Sequence, residues 1–206
     1  MEKRISKMLA IMFAMALALA YSCGGGGGGG GGAAGYTPDN APSTQGTTTL
    51  STAQKTQVEQ EVSAYVTALG GAFSATSKAA ATTFSQCYDE PVGECSSGRY
   101  CVEASGSGTS GHVKVWMDQS LNCGGMNIYF WEFDEDYTVS GSQYTATSSA
   151  GAIDFEYEKG TSGFDKALRI FIKWDKSGAV EGWVAEDGVK TATIGGTTSD
   201  PTVTWL

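Results

Sequence analysis

From Arg99 to the C-terminus, apolar residues recur at every second position in one run after another. In AIDFEYE, Ile153, Phe155 and Tyr157 alternate with Asp154, Glu156 and Glu158. HVKVWMD lines up Val113, Val115 and Met117, and KALRIFIKW sets Leu168, Ile170, Ile172 and Trp174 against Arg169 and Lys173. Successive side chains of a strand point to opposite faces, so this period marks half-buried strands. On that reading Asp154, Glu156 and Glu158 form the wet side of one strand. MNIYFWEF is apolar in both parities, which suits a central strand covered on both faces. Glycine-rich clusters (GSGTSG, NCGG, VSGSQ, EKGTSG, DKSG, EDG and GGTTSD) separate the runs. Short strands joined by short turns predict an antiparallel meander of about eight strands.

A different period precedes them. Ser51 and Gln54 form a capping-box pair, after which Val58, Val62, Tyr65, Val66 and Leu69 repeat as one stripe of a helix. Gly70-Gly71 offers a stop, and alanine-rich propensity lets a second helix resume over 72–85. The expected fold is α+β, with one or two N-terminal amphipathic helices followed by the meander. Its sheet is flat, or curved into a half-barrel with the helix across one face or plugging the open end. In element order this is similar in outline to the half-barrel lipoprotein carriers, a resemblance that implies a sheet cavity holding acyl chains.

The first fifty residues say where such a domain resides. Lys3, Arg4 and Lys7 precede the uncharged, apolar stretch 8–21, a pattern of an export signal and too short to span a bilayer. Ala20-Tyr21-Ser22-Cys23 resembles the lipobox of bacterial lipoproteins, with Ala20 where leucine is commonest. The resemblance implies cleavage before Cys23, acylation of its thiol (diacylglycerol, with palmitate-type chains) and attachment to a membrane. Ala20-x-Ser22 also satisfies ordinary signal peptidase at the same bond. Nine glycines follow, and 23–49 as a whole reads as a tether of about 27 residues with a root-mean-square span of roughly 30 Å. Gly24 after the cysteine resembles the sorting pattern for the outer membrane, periplasmic or surface-facing. The expected division is a signal over 1–22, anchor and tether over 23–49, and one domain over 50–206.

Cysteine parity supports the anchor. Cys87, Cys95, Cys101 and Cys123 make an even set, which in an exported protein pairs as disulfides, and Cys23 is left over. Of the three pairings, Cys87–Cys95 with Cys101–Cys123 is favoured by the small first loop. Their spacings lack the paired knuckles of zinc sites, so no metal is expected.

The chain carries 13 Lys and Arg against 22 Asp and Glu; loss of 1–22 removes Lys3, Arg4, Lys7 and Glu2 and leaves 10 against 21. Such acidity argues against nucleic acid as a partner. GSGTSG matches G-x-G-x-x-G but precedes a strand, so it reads as a hairpin loop rather than a phosphate site. His112 is the single histidine, and no G-x-S-x-G elbow positions a serine for it. Asp134-Glu135-Asp136 lacks calcium-loop spacing and reads as an acidic hairpin turn. Of five tryptophans, Trp131 and Trp174 belong to the core, while Trp116 and Trp183 sit among polar residues and are the candidate ligand contacts. The expected function is a membrane-anchored, non-enzymatic structural or binding lipoprotein without cofactor or metal. Alternatives are a periplasmic carrier or sensor of an apolar ligand, and a carbohydrate-binding module.

Overall fold

Alternation in the sequence becomes a single sheet with two unlike faces. The computed structural model describes residues 36–70, 84–90, 98–107, 109–117, 119–140 and 143–206. In chain order these form β1 (Thr44–Gln45), α1 (Thr52–Gly70), β2 (Phe84–Glu90), β3 (Gly98–Ser107), β4 (Ser110–Met117), β5 (Leu121–Asn122) and β6 (Met126–Ser140), followed by β7 (Gln143–Tyr157), β8 (Leu168–Trp174), β9 (Val180–Glu186), β10 (Val189–Thr197) and β11 (Asp200–Trp205). Among the described residues eleven strands form one sheet, ordered β1-β10-β9-β8-β7-β6-β4-β3-β2, with β11 also on β10 and β5 on β6.

The α+β expectation is overturned. The molecule is mostly β, with one helix among the described residues, and the sheet is mixed rather than an antiparallel meander. Three observations carry the correction. First, a strand precedes the helix: β1 pairs parallel to β10 through Thr44↔Val189 and Gln45↔Lys190. Second, Phe84 and Ser85, assigned to a resumed helix, begin β2, which pairs along its whole length with β3. The rest of that proposed helix, 72–83, lies outside the described residues. Third, Asp134-Glu135-Asp136 is no turn but the middle of the fifteen-residue β6. Helix propensity and turn composition are local preferences, and long-range strand pairing overrode both.

The helix itself starts as its sequence dictates. Ser51 N–H donates to Gln54 Oε1 at 2.9 Å and Gln54 N–H to Ser51 Oγ at 3.3 Å, satisfying two otherwise unpaired donors. Its stripe of Val58, Val62, Tyr65 and Val66 is buried against the inner sheet face. That face carries Ile153, Phe155, Leu168, Ile170, Ile172 and Val184, all at 1 % exposure or less. Each such side chain contributes about 1.5–3 kcal/mol on burial. Gly151 sits opposite Trp174, and a Cβ there would fall inside the Trp174 ring's van der Waals envelope. The glycine is what lets the indole lie flat on β7.

One polar group interrupts the stripe. Glu61 is 2 % exposed; Tyr157 Oη donates to its Oε2 at 2.9 Å and Gln57 Nε2 to its Oε1 at 3.2 Å. Burial raises its pKa above the usual carboxylate range despite those two donors.

Candidate functional site

Directly opposed residues in antiparallel strands share a face. The register Trp116↔Glu132↔Ala152↔Lys173↔Glu181 therefore traces one row across the outer face, the side away from α1. Both candidate tryptophans lie on that face, but four strand spacings apart, roughly 19 Å. They are not one site. Trp116 on β4 is only 9 % exposed, with Lys114 Nζ 5.4 Å from its ring centre, so its expected exposure is corrected. Trp183 on β9 is half-buried, tilted against Phe171 at 5.7 Å.

The favoured disulfide pairing is also corrected. Cys87 bonds Cys101, because the β2–β3 register sets them directly opposite with Cα atoms 4.0 Å apart. Sequence separation could not reveal that register. Cys123 is disulfide-bonded as well. Cys23 and Cys95 lie outside the described residues.

At one end of the outer face, four titratable groups meet. His112 Nδ1 lies 3.0 Å from Asp136 Oδ1, and His112 Nε2 lies 3.4 Å from Asp134 Oδ2. Lys176 Nζ, from the β8–β9 turn, reaches Asp136 Oδ2 at 2.6 Å and Asp134 Oδ1 at 3.3 Å. Hydrogen bonds from Lys176 and His112 hold the Asp136 carboxyl well below the usual range. Ser148 Oγ donates to Asp136 Oδ2 at 2.8 Å, adding a third partner to that carboxylate. Alternation sends Glu135 to the inner face, away from Asp134 and Asp136. The acidic triplet therefore does not converge on a cation. The group reads as a surface charge network.

GSGTSG is the β3–β4 hairpin that its context implied, with Gly106 opposite Gly111. Tyr137 packs over that pair, and a Cβ on Gly111 would collide with its phenol. The glycines make room for a ring, not a phosphate.

The other end gathers aromatic rings around Arg169, and it rests on a bulge. Ile128 opposes Phe155 and Phe130 opposes Asp154, leaving Tyr129 as an extra residue in β6. That bulge switches parity, turning Phe130 outward while Trp131 faces the core. Tyr36 then stacks on Phe130 with ring centres 3.7 Å apart and planes 7° from parallel. Its hydroxyl donates to Asp154 Oδ2 at 3.0 Å. Arg169 grips the same carboxylate twice, Nε to Oδ1 at 2.9 Å and Nη2 to Oδ2 at 2.7 Å, and also donates to the Asp39 carbonyl at 3.0 Å. Asp154 is completely buried, so the expectation of a wet row fails at its first member. Burial and then the Asp154 charge push the Tyr36 phenol pKa up.

Arg169 also lies over two rings, 4.7 Å from Tyr129 and 5.6 Å from Trp183. Tyr129 is 40 % exposed, and its hydroxyl donates to Glu156 Oε1 at 3.2 Å. Beside it Asn122 Nδ2 and Asn127 Nδ2 donate to Glu158 Oε1 at 3.0 and 3.2 Å. Sequence reasoning found Trp183 but missed Tyr129, Arg169 and the docked Tyr36. The bulge that assembles them has no local signal beyond the doubly apolar run in β6.

The docked segment continues to the helix. Thr49 N–H and Oγ1 donate to the buried Glu186 carboxylate at 3.1 and 2.6 Å. Burial alone would raise that carboxyl's pKa, but the hydrogen bonds from Thr48, Thr49 and Thr191 lower it overall. Residues 36–49, tether by composition, are thus fastened to the sheet. Among the described residues an open groove of about 510 Å3 runs along α1, lined by Thr56, Glu59, Gln60, Ser63, Ala64 and Thr67. No family model, curated protein or solved structure matches the chain.

Proposed function

We propose that the protein is an exported lipoprotein, anchored through lipid on Cys23 to the outer membrane, whose sheet serves a non-enzymatic structural or binding role. The cysteine bonding carries this reading. Cys87 and Cys101 pair and Cys123 is bonded, so one of the five cysteines is left over. Cys95 stands among the paired set in sequence and is the natural partner of Cys123; Cys23, at the lipobox-like junction, is the remainder. Disulfides favour an oxidising compartment. Docking at Tyr36 leaves the twelve residues 24–35 between anchor and body. A glycine-rich stretch of that length spans about 20 Å root-mean-square. The body is thereby held close to the membrane, its outer face nearest the anchor.

The test is intact mass and detergent-phase partitioning of wild type beside Cys23→Ser. Wild type should begin at Cys23, carry the mass of two or three acyl chains and enter the detergent phase. The variant should stay aqueous. An unmodified Cys23, or equal partitioning of both proteins, overturns the reading.

A further inference from the structure

We infer that residues 36–43 are a releasable strap: Tyr36, docked among Phe130, Phe171, Asp154 and Arg169, sets where the tether leaves the body, and its release moves that point from the outer face to the sheet edge at β1. The inference rests on the anchored reading above.

The segment 36–49 is tied to the body in two separate places. Tyr36 meets Phe130 on β6 and Asp154 on β7, while Arg169 Nη2 and Nη1 on β8 donate to the Asp39 and Asn40 carbonyls at 3.0 and 3.5 Å. The second tie begins with β1 on β10. It continues through the Gly46 N–H, which donates to the Lys190 carbonyl, to Thr49 on Glu186. In the sheet order β6 stands five strand spacings from β1, roughly 24 Å.

The first tie can open alone. Between 36 and 43 only Pro38 is buried; Tyr36 and Pro42 are half-buried and the other residues exposed. Segments with so few buried contacts open locally at a fraction of the global cost. Release also strands no carboxylate. Asp154 keeps both Arg169 bonds, and Arg169 keeps its place over Tyr129 and Trp183. Thr49 holds Glu186 throughout. What is given up is the Tyr36 ring packing, its phenol hydrogen bond and the two guanidinium contacts to carbonyls.

The consequence is reach. With Tyr36 docked, the twelve residues 24–35 link Cys23 to the outer face; with it released, the twenty residues 24–43 link Cys23 to the edge strand. Full extension rises from about 40 to about 66 Å. The outer face, held toward the membrane in the docked state, is freed from it in the other.

The experiment uses the mature lipidated chain in phosphatidylcholine nanodiscs that carry a nitroxide-headgroup lipid, read by amide nuclear magnetic resonance. Tyr36→Ala should move the amides between 37 and 43 to random-coil positions while those of β4 and β10 keep theirs. Tyr36→Phe keeps the ring and loses the hydroxyl, so its strap amides should fall between wild type and Tyr36→Ala, with the open population raised about fivefold. Strap amides that stay at wild-type positions in Tyr36→Ala, or collapse of the β4 and β10 signals together with them, overturn the strap. The nitroxide should broaden outer-face amides more in wild type than in Tyr36→Ala, and equal broadening overturns the change of reach. Failure of the anchor shows separately, as an unmodified Cys23 by mass, and leaves the amide shifts to decide the strap.

Discussion

The two faces of the sheet come from the same strands and solve burial in opposite ways. On the inner face β7 and β8 contribute Ile153, Phe155, Ile170 and Ile172, which need only apolar neighbours and find them in α1. On the outer face the same strands contribute Asp154 and Arg169, of which Asp154 is as buried as the isoleucines. Apolar burial is non-directional, so the inner face tolerates approximate fit. A buried carboxylate requires specific donors, and here Arg169 and Tyr36 both supply them. The contrast teaches that polar alternation identifies which residues share a face, not whether that face is wet. A chain segment from outside the sheet decided that.

The comparison breaks most decisively at Arg169. Arg169→Ala leaves Asp154 buried beneath Tyr36 with its bidentate partner gone, and should cost about 3–5 kcal/mol in urea unfolding. Arg169→Lys should recover only part of this, since an ammonium cannot reproduce the two-point grip. A cost under about 1 kcal/mol would show the outer face to be an ordinary solvated surface.

Gly151→Ala tests the inner face by overpacking. The new methyl meets the Trp174 ring and the Glu132 carbonyl oxygen, a backbone atom that cannot swing away. Destabilisation of about 1–3 kcal/mol is expected, with near-ultraviolet circular dichroism reporting a displaced indole. An unchanged Tm and spectrum would mean the packing of Trp174 on β7 is loose.

The smallest effect concerns Glu61, the buried carboxyl that α1 presents to the inner face. Because burial raises the Glu61 pKa above its unfolded value, its contribution to stability is full at low pH and is lost as pH climbs through the raised folded value. Glu61→Gln keeps an acceptor for Gln57 and removes the ionisation. The variant's Tm should therefore exceed wild type by a growing margin from pH 5 to pH 8, at about 2–4 °C per kcal/mol for a domain of this size. A margin that shrinks as pH rises would place the charged form of Glu61, not the neutral one, in the native core.

Much of this was legible from residues alone. The capping box at Ser51 and Gln54, the valine stripe of α1, the strands around 113–117, 153–157 and 168–174, and the hairpin at GSGTSG are all local patterns. Each follows from period or turn chemistry within a dozen residues. Asp154 could not be read that way, because its cover comes from Tyr36, 118 residues earlier. Nor could the disulfide, which depends on the β2–β3 register, or the exposure of Tyr129, which depends on one extra residue in β6.

By itself, then, the sequence determined the alternation, the start of the helix, the acidity and the odd cysteine beside its glycine run. Those are properties of neighbouring residues and of counting. Tertiary structure alone decided that the molecule is mostly β, that its sheet is mixed, and that the segment 36–49 belongs to the body. It also brought Tyr129, Arg169 and Trp183 together from three strands. The reason is that strand pairing, register and burial are set by contacts between residues distant in the chain, whose net free energy outweighs local preference.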